Sequence, residues 1–98
     1  MRYFLHLIQT YETVRDPEGS VHPNLADARG EAVDAARQMM SGAVRGGWDI
    51  SDWAIEIADE HGVILDRLPF SSTLRPAERA ASSPSPDADR EVAAETNR

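Results

Sequence analysis

Residues 24–47 read NLADARGEAVDAARQMMSGAVRGG. At 100° per residue, Leu25, Ala28, Ala32, Ala36, Met39 and Ala43 fall on one line, with Val33, Met40 and Val44 beside it. Asp27, Glu31, Asp34, Gln38 and Ser41 lie opposite. The spacing predicts an amphipathic helix over residues 25–45. Asn24 stands where a side chain caps the first turn, and Asp27 where an acid favours the positive end of the helix dipole. Gly30 and Gly42 weaken the helix by up to about 1 kcal/mol each, and Gly46-Gly47 stops it. The middle of the apolar arc is alanine, so this helix is suited to lie close against its partner surface. Being apolar on one side only, it needs such a surface.

The flanking segments supply it. On the N-terminal side, residues 2–9 (RYFLHLIQ) read as a strand with Tyr3, Leu5 and Leu7 on one face and Phe4, His6 and Ile8 on the other. A strand apolar on both faces is an inner strand, or one whose second face is covered. Residues 10–15 fit a shorter strand. Asp16-Pro17-Glu18-Gly19 has the composition of a type I turn, and Val21-His22 a brief extension after it. On the C-terminal side, Trp53, Ile55 and Ile57 alternate with Ala54, Glu56 and Ala58 along a strand over 53–59. Glu60-His61-Gly62 turns the chain, and residues 63–70 return, Pro69 marking an end or an edge. The expected fold is α+β: β-β-α-β-β in a two-layer sandwich, one helix on a four-stranded, mostly antiparallel sheet. The first strand is placed inside, and the strand order stays open.

Ninety-eight residues are room for one domain. Composition shifts near Phe70. Residues 71–98 hold only Leu74 and Val92 as bulky aliphatics among Ala, Ser, Pro and charge. The expected division is therefore a domain over 1–70 and a disordered tail over 71–98. The net charge is −7, with no lysine and no cysteine, so neither a disulfide nor a thiolate metal site can form. In residues 1–70 six arginines face twelve acids. No apolar run approaches the roughly 18 residues of a membrane span. The N-terminus lacks the apolar core and small-residue cleavage site of a secretory signal. A cytoplasmic location without membrane attachment is expected.

Taken together, Arg2-Tyr3-Phe4-x-His6-Leu7, the Asp16-x-x-Gly19 turn, Leu25-x-x-Ala28-x-x-x-Ala32 and Asp52-Trp53-x-Ile55-Glu56-Ile57-Ala58-Asp59-x-x-Gly62, ending in Leu68-Pro69-Phe70, form a set. On these residues, the segment 1–70 resembles a family of short bacterial proteins known only as a domain of unknown function. Leu5, where that family often has a second Phe, and Ile8, where it is often polar, depart from its pattern. The resemblance implies no activity, ligand or catalytic residue. In architecture alone, the chain is also similar to small antitoxins with a strand–strand–helix–strand core.

Little in the chain points to chemistry. His6, His22 and His61 show no metal-ligand spacing, and His6 reads as a half-buried strand histidine bonded to a neighbour. Glu56, Asp59, Glu60 and Asp66 cluster at the second hairpin without a calcium-loop spacing; a solvated charged face, with Arg67 or Arg2 opposite the strand acids, accounts for them. No serine has a nucleophile-elbow context. Gly46-Gly47 ends a helix, where the dipole has the wrong sign for phosphate. Arg29, Arg37 and Arg45 spiral round the helix and form no stripe, so nucleic acid is not an expected partner. No enzyme activity, cofactor or metal is expected.

What remains is binding. The candidate interaction surface is Phe4, His6 and Ile8 on the second face of the first strand, together with Trp48 after the double glycine. Trp48 either packs over the helix end or stands partly exposed. Two readings follow: a non-catalytic protein-interaction module, expected as a homodimer that hides Phe4 and Ile8, or an antitoxin-like or regulatory acidic protein that neutralises a basic protein partner. Within one chain, the Trp48 connector or the start of the tail is the other candidate to cover that face.

Overall fold

The computed structural model describes residues 1–77. Strands β1 (Arg2–Ile8), β2 (Thr13–Val14) and β3 (Ser20–Val21) precede helix α1 (Leu25–Arg45); β4 (Ala54–Ala58), β5 (Ile64–Pro69) and a short 3-10 helix (Phe70–Thr73) follow. The sheet runs β2-β1-β4-β5, all neighbours antiparallel, and β3 also pairs with β1. The fold is α+β, with α1 on one face, and β1 is an inner strand as its two apolar faces require.

Register decides which residues meet the helix. Leu5 pairs with Ile57 and Leu7 with Ile55, and Ile55 with Leu68. Paired residues share a face of the sheet, so these side chains line the helix side. There they meet Ala28, Ala32, Ala36 and Met40, all buried, with Tyr3 and Phe70 closing the ends of the core. Leu5, Leu7, Val33, Met39 and Trp53 pack against it half-buried. Ala36 has no exposed surface. Replacing it with leucine is expected to destabilise by roughly 1–3 kcal/mol through overpacking. A denaturant melt that leaves the midpoint unchanged would show that alanine does not set the helix–sheet distance.

The second strand is shorter than its composition suggests. β2 has two residues, and the chain leaves β1 at Arg15, loops through Gly19 and returns as β3. The odd-numbered backbone of β1 faces this edge throughout. Met1 exchanges bonds with His22 and Gln9 donates to Glu12 O, while Leu7 pairs with Val14 and Tyr3 with Ser20. β2 and β3 are thus two pieces of one interrupted edge strand. In the gap between them, Leu5 N–H donates to the Asp16 carboxylate at 3.1 Å. Gly19 adopts φ 71°, where a Cβ would lie 2.7 Å from Tyr3 O and 3.0 Å from the Phe4 ring. Only glycine lets the turn sit this closely on the sheet.

The chain keeps contact with α1 beyond β5. Thr73 is buried, and its carbonyl accepts from Arg37 Nε and Nη2 at 3.0 and 2.8 Å. Packing on α1 therefore continues past Phe70, the expected boundary. Residues 78–98, most of the expected disordered tail, lie outside the described residues.

Candidate functional site

The helix cap positions the most conspicuous surface side chain. Asn24 Oδ1 accepts from Asp27 N–H at 2.9 Å at the start of α1. At the other end, Gly47 N–H donates to Val44 O and Trp48 N–H to Ala43 O, at 2.9 and 2.8 Å. With Gly47 at φ 86°, this is a Schellman motif, and it fixes the residue that follows the left-handed glycine. That residue is Trp48, held against the last turn yet 72 % exposed. Cap glycines and tryptophan thus act together: the backbone that stops the helix also presents the indole.

Around Trp48 the surface is grooved. One hollow of about 570 Å³ lies between the C-terminal half of α1 and the connector, walled by Met39, Ala43, Trp48, Ile50, Trp53 and Thr10. A second, of about 400 Å³, lies across the indole and includes Met40, Val44 and Leu74. Thr10 and Trp53 also border a third hollow with Tyr11 and Glu12. A fourth continues past Val44 and Leu74 to Arg37 and Arg45. Shared walls place these hollows side by side, a trough divided by the Trp48 indole, across the end of the domain from Tyr11 to Leu74. Tyr11, Val44, Trp48 and Leu74 are each more than half exposed. Trp53 is held at its floor by Phe70, the ring centroids 6.2 Å apart at 59°.

The sheet's other face holds the remaining candidates. Phe4, His6 and Ile8 pair with Ala58, Glu56 and Ala54. Phe4 and Ile8 are half-buried, and His6 is 8 % exposed. His6 Nδ1 accepts from Asp16 N–H at 3.1 Å, which places the ring proton on Nε2. The 15–19 loop lies against Phe4 and His6, so the histidine is part of the fold's interior. Phe4, His6 and Ile8 come together as the sequence suggests, but Trp48 belongs to the helix layer on the opposite side. The four do not form one surface. Residues 10, 11, 44, 50 and 74 also line the trough; of these the sequence marked Val44, beside the apolar line of the helix, and Leu74, apolar in a polar stretch.

Three ion pairs and a few side-chain to backbone bonds engage part of the charged groups among the described residues. Arg67 binds Glu56 at 2.9 Å across β4–β5, Arg29 binds Asp66, and Arg2 donates to Glu18 O at 2.9 Å. Ser20 Oγ and His22 Nε2 both reach Glu31 Oε1, at 2.7 and 2.6 Å, and these contacts hold the Glu31 carboxyl below its ordinary pKa. The serine and histidine each end on the glutamate, so the contact by which a base activates a nucleophile is not made. Among the described residues, no three His, Asp or Glu side chains gather as metal ligands, and no helix is long and apolar enough to cross a membrane.

No curated protein and no solved structure matches the chain. By its match over residues 2–71, the chain belongs to the family described as Domain of unknown function (DUF6894).

Proposed function

We propose that the domain is a non-catalytic protein-interaction module that engages its partner through the trough around Trp48. The observation carrying this reading is a 72 %-exposed tryptophan fixed by a helix cap between two apolar hollows. Exposed, rigid aromatics in concave apolar surroundings are the usual anchors of protein interfaces. The wiring of Ser20 and His22 to Glu31 supports the non-catalytic part. Four of the six arginines in residues 1–70 are engaged within the domain (Arg2, Arg29, Arg37 and Arg67), which argues against phosphate contacts. Crosslinked partners recovered from the native host by the full chain should be lost with Trp48→Ala and kept with Ile8→Ala, while a duplex DNA probe stays unretarded at physiological salt. Equal recovery by all three proteins, or a retarded probe, would refute the reading.

A second reading, self-association through the uncovered sheet face, is favoured by Ile8 and Ile64 standing there around the buried Ala54 and Ala58. Sedimentation at tens of micromolar should then show a dimer. The 15–19 loop reduces the apolar area on that face, and a monomer at this concentration would leave the trough alone.

A further inference from the structure

The charges along the trough are arranged by sign. Its first three hollows carry Glu12 and Asp49 and no basic side chain, whereas the fourth carries Arg37 and Arg45. Asp49 is fixed in place by the Ser51 N–H, 2.9 Å from its carboxylate. Arg37 is turned onto the Thr73 carbonyl. Apolar walls between acidic groups would disfavour an acidic or purely polar occupant. They match a segment with large apolar side chains and adjacent positive charge.

We infer that the trough is a docking site for a peptide segment of another protein, apolar along Trp48 and basic where it passes Glu12 and Asp49. This rests on the trough being the interaction surface, and it adds the chemistry of the partner. The hollows follow one another from Tyr11 through Trp48 to Leu74, a run that offers several apolar anchor points to a peptide segment. Trp48, at the shared wall of two hollows, would meet the middle of the segment. Glu12 and Asp49 would set its direction.

Three synthetic 14-residue peptides test this against the full chain: leucine/lysine amphipathic, leucine/glutamate of the same pattern, and serine/lysine of the same charge. Binding is read by titration calorimetry and by amide chemical shifts. The leucine/lysine peptide should bind at least tenfold more tightly than either of the others and shift Thr10, Trp48, Ile50 and Leu74. Trp48→Ala should weaken it at least tenfold. Glu12→Gln with Asp49→Asn, which keeps the amide acceptor for Ser51, should weaken it severalfold and leave the melting temperature unchanged. Equal binding of the leucine/glutamate peptide would overturn the basic partner and leave the interaction surface standing. Equal binding of the serine/lysine peptide would reduce the effect to bulk charge and also overturn it. Shifts confined to the sheet face, or binding of an apolar dye at Trp48 with no peptide bound, would overturn the docking site itself.

Discussion

Phe70→Ala is expected to lower the unfolding free energy by roughly 3–5 kcal/mol, the range for removing a fully buried ring. Phe70 has no exposed surface and is the largest fully buried side chain. It stands where β5 ends and the short 3-10 helix begins. Its N–H donates to Trp53 O at 2.8 Å, and its ring packs on Trp53. Three residues on, the Thr73 carbonyl holds Arg37 of α1. The ring therefore supports the final strand, the helix and the floor of the trough together. A domain of this size has roughly 4–11 kcal/mol of stability in all, so the alanine variant should lose a large share of it. Phe70→Leu, which keeps most of the volume, should cost less than about 1.5 kcal/mol. Urea titrations of the two variants check this. A loss below 1 kcal/mol for alanine would mean that the C-terminal turn contributes little to the core.

The helix and second hairpin could be read from the chain because their signals are local. An alanine line at helical spacing, an asparagine cap, a double glycine, and alternating Ile55 and Ile57 each state one element, and the structure has them. Phe70 was legible only as the end of a strand. Its role depends on packing with α1, which ends 25 residues before it in sequence. The same holds for Thr73, whose polar neighbourhood reads as tail until Arg37 is seen to hold its carbonyl. At the candidate site, Trp48 stood out from composition alone, but its neighbours did not. Tyr11, Val44 and Leu74 come from a loop, the helix and the segment after the 3-10 helix, and no periodicity links them. Grouping Trp48 with Phe4 and Ile8 needed the helix layer and the open sheet face to coincide, and the fold puts them on opposite sides. The first hairpin misled for another reason. Residues 10–15 have strand-forming composition, yet the ladder is broken by a side chain taking the place of the backbone.

That side chain is Asp16, and Asp16→Ala should cost about 3 kcal/mol, near 1 kcal/mol for each N–H that loses its acceptor. Its carboxylate accepts from Leu5 N–H at 3.1 Å, Glu18 N–H at 3.2 Å and Gly19 N–H at 3.0 Å. The first bond fills the gap in the β1 edge, and the other two shape the turn that lies on Phe4. Partial burial pushes the carboxyl pKa up, but the N–H groups of Gly19, Leu5 and Glu18 outweigh it and hold it below its ordinary 3.8. A carboxyl group depressed on folding stabilises the folded state fully above its unfolded value and loses that effect as pH falls through the folded one. The gap in stability between wild type and Asp16→Ala should therefore be constant above about pH 5 and narrow steadily below the ordinary 3.8. Asp16→Asn should fall between the two, since its amide offers one acceptor and points a donor at the remaining N–H groups. The narrowing separates a charge-dependent plug from simple loss of packing, which would leave the gap unchanged with pH. Denaturant melts of the three proteins between pH 3 and 7 measure it. A flat gap, or a cost below 1 kcal/mol at pH 7, would show that the two short strands hold this edge without the carboxylate.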